Sequence, residues 1–277
     1  MVADTVIVSL TTIDSRIGHV GKVLKSIYEQ SFSPRKIFLN ISEDSFMLDK
    51  GIDKNSLPDD LIDMQNHGMI EINFTRNIGP YRKIFDAQRL YGGSFRYIVT
   101  ADDDVVYPRD WLKGLVEAAA GGGHAITAYR CRAMITANGG LAPYNKWPMI
   151  RDENTGFGDV PLAQRPLFTF ATGRGGILYS TDIFSDLDLL ETLRQQAPAQ
   201  DDVVLKFISM SQGVPVHRVP MAEAGTRGRE FPTLLIEGEE SAGLFNQINI
   251  SGGNDAAIGR VVEKLRELTG FDYRDLL

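Results

Sequence analysis

Residues 97–108, YIVTADDDVVYP, form an apolar run that ends in three consecutive aspartates, Asp102-Asp103-Asp104. A strand that ends in adjacent carboxylates concentrates negative charge at one edge of a sheet, which is unfavourable unless a cation compensates it. A divalent metal with oxygen ligands is the usual compensation. The alternative is a solvated turn, which Asp favours through local backbone hydrogen bonds. An EF-hand is excluded, because Val106 and Tyr107 stand where that loop needs a ligand and a glycine.

Strand-like runs alternate with helix-like runs around this stretch. The predicted strands are residues 6–10, 36–41, 69–74 and 96–100, and the predicted helices are residues 16–30, 80–91 and 110–120. This alternation indicates an α/β fold whose mostly parallel central sheet is covered by helices on both faces. Ligands of such sheets bind at the carboxyl ends of the strands, which is where the Asp triplet would lie.

The second half of the chain is less regular. Residues 139–170 contain several Pro, Gly and aromatic residues, and a loop of this length predicts either a functional, mobile lid or a disordered segment. Within it, Tyr144 and Trp147 are candidates for stacking on a sugar, with core packing as the alternative. Further along we predict a helix at 202–210, a short edge strand at 214–219 and an amphipathic helix at 255–268, whose mixed charges favour packing on the core.

Composition limits the classes of function. The chain has 277 residues, 43% of them hydrophobic and 23% charged, as in an ordinary soluble globular protein. A net charge of −7 argues against a nucleic-acid partner and disfavours an anionic membrane, although peripheral contact stays open. The single cysteine, Cys131, allows no internal disulfide. No signal peptide and no apolar segment of about 20 residues is seen, so we expect a cytoplasmic protein, with a peripheral place at the inner membrane face left open.

Four other features could carry chemistry, and each has a simpler interpretation. Asp201-Asp202 opens a predicted helix, where carboxylates are favoured for electrostatic reasons, but beside a metal site one of them could be a general base. His217 could complete a metal site or be structural. The basic turn at 75–83 could attract phosphate or be solvated. The run 173–176, GRGG, could let the backbone approach a sugar or form a tight turn.

The order of these features resembles the GT-A fold glycosyltransferases, close to glycosyltransferase family 2. The resemblance covers roughly residues 4–220, and residues 221–277 carry no match. The residues and runs that carry it are the strand at 6–10, Arg16, the helix end at 24–31 (LKSIYEQS), the pair Glu43-Asp44, the run 77–80 (NIGP) followed by Lys83, the Asp triplet, the GRGG run and the pair Asp201-Asp202.

The resemblance implies a role for each matching residue. Asp102 and Asp104 look like the DxD motif that holds Mn²⁺ or Mg²⁺ on the donor diphosphate, with Asp103 as the alternative metal-facing residue in another register. Asp202 resembles the catalytic base, with Asp201 in place of the usual Glu. The remaining implied roles are contacts to the nucleotide base (Glu43 or Asp44), to the base or phosphates (Arg76 or Lys83), to the sugar (Gly175 and Gly176) and to the metal (His217).

The resemblance implies a single GT-A domain over residues 1–277, in which about 1–120 binds the nucleotide sugar and about 121–277 forms the acceptor half and the C-terminal helix. The expected activity is an inverting, metal-dependent transfer of a sugar from a nucleotide-diphosphate donor to a hydroxyl of a saccharide or glycolipid in polysaccharide biosynthesis. A UDP-sugar is the favoured donor. One alternative is a sugar-phosphate nucleotidyltransferase, which would need a glycine-rich basic loop where residues 11–18 offer only Arg16 and Gly18. Another is a non-catalytic carbohydrate- or metal-binding module.

Overall fold

A computed structural model describes most of the chain, namely residues 5–120, 126–151, 156–157, 160–161, 166–226, 230–234 and 253–277. Among these residues no helix is both long enough and apolar enough to cross a membrane.

The first half alternates strands and helices as the sequence predicts. Its elements in chain order are β1 (Val6–Thr11), α1 (Val20–Tyr28), β2 (Lys36–Ile41), α2 (Asp59–Asn66), β3 (Glu71–Phe74), a 3₁₀ turn (Gly79–Tyr81), α3 (Arg82–Tyr91), β4 (Tyr97–Ala101) and α4 (Trp111–Ala120). Helix α1 begins at Val20 rather than at residue 16, because residues 14–19 form hydrogen-bonded turns that carry Arg16 toward β4. Helix α2 was not predicted, since only Leu61 of its eight residues is buried.

Within the described residues, the second half adds short strands and three α-helices. Its elements in chain order are β5 (Ile126–Ala128), β6 (Cys131–Ala133), β7 (Thr136–Ala137), β8 (Gly140–Leu141), β9 (Met149–Ile150), β10 (Gly156–Phe157), β11 (Val160–Pro161), β12 (Thr169–Ala171), β13 (Ile177–Ser180), α5 (Leu187–Gln196), α6 (Asp201–Ser211), β14 (Val216–Arg218) and α7 (Asn254–Thr269). In the predicted lid at 139–170, residues 139–151 and 166–170 contribute buried side chains to the core, namely Tyr144, Trp147, Ile150, Phe168 and Phe170. Residues 152–155, 158–159 and 162–165 lie outside the described residues.

Seven strands form the central sheet in the order β14-β5-β13-β4-β1-β2-β3. Neighbouring strands are parallel except at β13, which is antiparallel to both β4 and β5. The expected mostly parallel sheet is therefore confirmed, and strands from both halves of the chain build it. A separate antiparallel sheet has the order β12-β6-β9.

Alternate residues of the strands fill two cores, one on each face of the sheet. Along β1, Val6, Val8 and Leu10 pack with α1, α2 and α4, whereas Ile7 packs with α3, α5, α6 and α7. Burying both faces explains why the central strands read as continuous apolar runs. The C-terminal helix α7 contributes Val261 and Leu265, both fully buried, so its predicted packing on the core is confirmed.

Candidate active site

The carboxyl end of β4 is where the separate sequence signals meet. Leu10 at the end of β1 pairs with Ala101, so Thr12 and Arg16 follow β1 directly beside the Asp triplet. Strand β13 runs antiparallel to β4 with Ile177 opposite Thr100, so the glycine-rich turn before β13 reaches the same edge. Antiparallel pairing thus brings a turn from the second half to a strand end from the first.

The three aspartates alternate in burial. Asp103 is buried and accepts hydrogen bonds from Thr12 Oγ1 to Oδ2 (2.6 Å) and from Arg16 Nη1 to Oδ1 (2.9 Å). The side chains of Asp102 and Asp104 are 28% and 31% exposed, and Arg16 Nη1 also lies 3.5 Å from Asp104 Oδ2. Asp103 therefore anchors the loop after β1, whereas Asp102 and Asp104 remain partly accessible.

Lys83 joins the two acidic motifs. Its Nζ lies 3.0 Å from Asp102 Oδ1 and 3.2 Å from Asp201 Oδ2, with the lysine side chain only 8% exposed. The contact to Asp102 is a hydrogen bond, whereas the contact to Asp201 is ionic and leaves Asp201 Oδ2 without hydrogen-bond geometry. Burial opposes the charge of Lys83, but Asp102, Asp201 and Asp202 outweigh burial and raise its pKa well above the usual value.

Asp202 lies beside the glycine-rich turn at the start of α6. The backbone N–H of Gly173 donates to Asp202 Oδ2 at 3.0 Å. Burial and the neighbouring Asp201 raise the pKa of Asp202 to about 7, against the lowering effect of Lys83. Burial, Asp102 and Asp103 likewise raise the pKa of Asp104 to about 6. These carboxyl groups are therefore poised to exchange protons near neutral pH.

We call Asp102, Asp103, Asp104, Asp201 and Asp202 the acidic cluster. Among the described residues, its five carboxyl groups meet the positive charges of Arg16, Lys83 and Arg174, so negative charge is in excess. In this arrangement the described part of the chain contains no group of three or more His, Cys, Asp or Glu positioned to hold a metal ion.

His217 is not brought to the acidic cluster. It is exposed on the edge strand β14, opposite Thr127, and β14 lies three strands from β4. At about 4.8 Å per strand the separation is roughly 14 Å. The predicted metal role of His217 therefore has no geometric support, whereas Asp102 and Asp104 offer hard oxygen donors at the strand end.

Of the residues predicted to contact the nucleotide, some lie at the carboxyl edge of the sheet and one is bound elsewhere. Glu43 and Asp44 are exposed just after β2, at the carboxyl edge of the sheet, and Glu43 lies 3.8 Å from Lys54. Arg76 instead donates to Glu191 of α5 at 2.8 Å and lies over the ring of Phe85. Arg76 thus links the segment after β3 to α5. Within the basic turn at 75–83, Lys83 forms ion pairs with the acidic motifs.

The glycines nearest the acidic cluster are not the two that we predicted. A Cβ on Gly173 would lie 3.2 Å from both Asp102 Oδ1 and Lys83 Nζ. Gly175 accepts a hydrogen bond from Trp111 Nε1 at 2.8 Å, and Gly176 has φ +75° with its Cα against the same indole. Gly175 and Gly176 therefore shape the turn against α4, while Gly173 allows the backbone of the turn to lie close to Asp102 and Lys83.

The helix-end run of the resemblance has a structural explanation. Ser26 Oγ accepts from the backbone N–H of Tyr107 (3.1 Å), Gln30 donates to Pro108 O (2.8 Å) and accepts from Leu112 N–H (3.0 Å). Tyr107 in turn accepts the backbone N–H of Asp102 at its hydroxyl (2.8 Å). The end of α1 thus fixes the segment that follows the Asp triplet.

Sequence reasoning missed a buried network around Asp49. Arg82 Nη2 and Asn77 Nδ2 donate to Asp49 Oδ2 at 3.0 and 2.9 Å, while the backbone N–H groups of Asp14 and Gly51 donate to Oδ1. These donors come from the loops after β1, β2 and β3, so one carboxylate holds three loops at the carboxyl edge. A lone Asp in a loop gives no sequence pattern by which this role could be recognised.

Tyr144 and Trp147 belong to the core. Trp147 is buried, donates from Nε1 to Ala142 O, and contacts the rings of Tyr144 and Phe170. Core packing, the alternative to sugar stacking, is the one that the structure supports.

Comparisons with known proteins give a fold and no family. No family model matches the chain, and no curated protein matches it. Solved structures do match. The mostly parallel seven-stranded sheet, together with the likeness to TarS, defines a GT-A-like fold.

Residues 1–349 of TarS from S. aureus match with a TM-score of 0.51 and 12% identity, over 96% of this chain and 72% of that chain. A 4-diphosphocytidyl-2C-methyl-D-erythritol synthase from Anaerococcus prevotii gives a TM-score of 0.47 and 12% identity, over 80% of this chain and 89% of that chain. At this identity the likeness to TarS shows the fold alone.

Proposed function

We propose that this chain is an inverting, metal-dependent glycosyltransferase that moves a sugar from a nucleotide-diphosphate donor to a hydroxyl of a saccharide or glycolipid acceptor. The favoured donor is a UDP-sugar. The observation that carries the proposal is the convergence of two acidic motifs on one buried lysine. Lys83 contacts Asp102 at the end of β4 and Asp201 at the start of α6. A glycosyltransferase needs a general base beside its donor site, and these two motifs, distant in sequence, meet at one edge of the sheet.

Asp202 is the proposed general base. A carboxylate whose pKa lies near the working pH can accept a proton from an acceptor hydroxyl efficiently, and the pKa of Asp202 is raised to about 7, chiefly by burial. The N–H of Gly173 orients one of its oxygens and leaves the other for the hydroxyl. The deprotonated hydroxyl then attacks the anomeric carbon opposite the leaving diphosphate, which inverts that centre.

Asp102 and Asp104 are the proposed ligands of Mn²⁺ or Mg²⁺. Such ions are commonly held by one or two carboxylates together with substrate phosphates, so two partly exposed carboxylates in an excess of negative charge fit this chemistry. A bound ion would stabilise charge on the leaving diphosphate as a Lewis acid. His217 is left out of this site because of its distance from β4.

The other residues bind and orient. Lys83 fixes the positions of Asp102 and Asp201 relative to each other, and it would supply a positive charge to the donor phosphates. Glu43 and Asp44 are placed at the carboxyl edge, where a nucleotide base could be bound. Gly173 lets its backbone N–H approach Asp202, and a side chain there would crowd Asp102 and Lys83.

The alternatives are a sugar-phosphate nucleotidyltransferase and a non-catalytic binding module. Against the former, the one cation of the loop after β1, Arg16, is engaged by Asp103 and Asp104 rather than left for a triphosphate. Against the latter, a structural ion site needs no separate carboxyl group with a pKa near 7.

The test is a thermal-shift screen of nucleotide sugars with Mn²⁺, because a ligand that binds only the folded state raises its stability. Hits are then incubated with candidate acceptors, and in parallel a nucleoside triphosphate is supplied with a sugar 1-phosphate. Sugar transfer and nucleoside diphosphate release support the proposal. Pyrophosphate release from the triphosphate, with no use of any nucleotide sugar, would identify a nucleotidyltransferase instead. Donor binding without turnover would identify a binding module.

A further inference from the structure

Three arginines lie together on the second-half side of the acidic cluster. Arg130 lies in the bend that precedes β6, and Arg132 is the middle residue of β6. Arg174 belongs to the turn before β13, next to Gly173. Burial lowers the pKa of Arg130, Glu230 opposes this, and the charges of Arg174 and Arg132 lower it further, which places all three within electrostatic reach. We call them the arginine cluster.

The hydrogen bonds of the arginine cluster within the described residues go to neutral acceptors. Arg130 Nη1 donates to Thr172 Oγ1 at 2.9 Å, and Arg132 Nη1 donates to Trp147 O at 2.7 Å. Arg174 donates to Thr233 Oγ1. The Nε atoms of Arg130 and Arg132 are buried and have no hydrogen-bond partner in the described part of the chain, an arrangement that costs free energy.

Arg174 also lies within electrostatic reach of Asp104 of the acidic cluster, but close negative charge is sparse among the described residues around Arg130 and Arg132. Within the described residues, Glu230 is the carboxylate in ionic contact, at 4.0 Å from Arg130 Nε and 3.9 Å from Arg174 Nη1, and its side chain is 58% exposed. An exposed pair at this distance contributes little. Within the described residues, Arg130 and Arg132 therefore keep buried donors that no carboxylate satisfies, which is the arrangement expected of an anion site before its ligand binds.

The arginine cluster adjoins the proposed base. The guanidinium of Arg132 lies 5.1 Å from the ring centre of Tyr144. Burial raises the pKa of Tyr144, Arg132 lowers it and Asp202 raises it, so Tyr144 is within electrostatic reach of both. The residues proposed to bind the donor nucleotide and metal, by contrast, follow β2 and β4 or belong to α3. The arginine cluster is therefore placed where an acceptor would approach Asp202.

We propose that the arginine cluster binds an anionic group on the acceptor, a carboxylate or a phosphate, so that the acceptor is an acidic or phosphate-bearing saccharide. Planar guanidiniums bind both anions through paired N–H donors. Assignment of the anion to the acceptor rests on the proposed function, whereas the binding of an anion at this place rests on the arginine cluster alone.

The test is isothermal titration calorimetry with three probes that share one ring: glucose, glucuronate and glucose 6-phosphate. The proteins are the wild type, Arg132→Ala, Arg132→Lys and Arg174→Ala, the last because its partly exposed side chain threatens folding least. Arg266→Ala is the matched control, since Arg266 is half exposed on α7, away from the site. Thermal unfolding confirms that each variant is folded, and a separate titration with UDP and Mn²⁺ reports donor binding.

We expect at least one of the two anionic sugars to bind the wild type at least about tenfold more tightly than glucose. Arg132→Ala and Arg174→Ala should each reduce that preference, Arg132→Lys should retain part of it, and Arg266→Ala should leave it unchanged. Preference for glucuronate or for glucose 6-phosphate identifies the anion. Equal or undetectable binding of all three sugars, or competition of the anionic sugars with UDP for the arginine cluster, would overturn the proposal. Failure of UDP to bind while the anion preference stands would count against the proposed function alone.

Discussion

Replacement of Asp202 by asparagine should stabilise the folded protein at alkaline pH. Asparagine has nearly the same shape and can still accept the hydrogen bond from the Gly173 N–H. It removes a negative charge that burial and the neighbouring Asp201 and Asp102 disfavour. A substitution that abolishes the proposed base is therefore expected to raise stability rather than lower it.

The magnitude follows from the raised pKa. Each unit of difference between the folded and unfolded pKa corresponds to about 1.4 kcal/mol. With a folded pKa of about 7 against the usual 3.8, ionised Asp202 costs the folded protein at most about 4 kcal/mol at pH 8 and about 2 kcal/mol at pH 5. Solvent screening at the partly buried side chain reduces both values.

The sign of the pH dependence is fixed by the direction of the shift. Because the folded-state pKa is raised, the stability contributed by protonated Asp202 is fully present below about pH 4 and is lost as the pH rises through about 7. The advantage of Asp202→Asn over the wild type should therefore widen between pH 5 and pH 8. At roughly 2 °C per kcal/mol for a chain of this size, the difference in Tm at pH 8 reaches up to about 8 °C.

The assay is thermal unfolding of the wild type and Asp202→Asn at pH 5 and pH 8 in buffer with EDTA, which removes divalent cations. Asp188→Asn is the matched control, because Asp188 is also the second residue of a helix but is exposed. Its effect should be small at both values of pH. If Asp202→Asn is less stable than the wild type at pH 8, or if its advantage is the same at both pH values, the electrostatic account of this site is wrong.

Two further substitutions test the scaffold. Asp49→Asn should destabilise the protein by about 3–5 kcal/mol in urea unfolding, because it leaves the fully buried Arg82 without its counter-charge; a loss below 1 kcal/mol would refute this role. Gly176→Ala should cost about 1–3 kcal/mol, since its Cβ would lie 2.4 Å from Trp111 at φ +75°. In α7, Gly259→Ala has open space and should instead stabilise by roughly 0.5–1 kcal/mol. Equal effects of the two glycine substitutions would contradict the turn geometry.

Features of the fold with long, regular patterns could be predicted from the sequence. Strands β1, β2 and β4 read as apolar runs because both of their faces are buried, and α6 and α7 show helical spacing. The sheet β12-β6-β9 was missed because its strands have only two or three residues, too few to show a period. Helix α5 was missed as well, since just Leu190 and Leu193 of its ten residues are buried.

The candidate site was predictable where several residues of one chemical type stand together. The Asp triplet and Asp201-Asp202 are such signals, and the structure brings both to Lys83. The burial of Asp103 and the partial exposure of Asp102 and Asp104 needed the structure, because Asp103 is buried by its contacts with Thr12 and Arg16. Single residues such as Gly173 owe their position to the antiparallel pairing of β13, which no local pattern encodes.

The most direct test of the account is the transfer rate of Asp202→Asn with a donor found in the nucleotide-sugar screen, measured with Mn²⁺ beside the wild type and Asp188→Asn. Donor affinity is measured on the same samples, so that a loss of rate is separated from a loss of binding. We predict donor affinity close to that of the wild type and a rate reduced by about 10²–10⁴-fold, the usual contribution of a general base, with Asp188→Asn unaffected. Full transfer activity in Asp202→Asn would contradict the proposed mechanism.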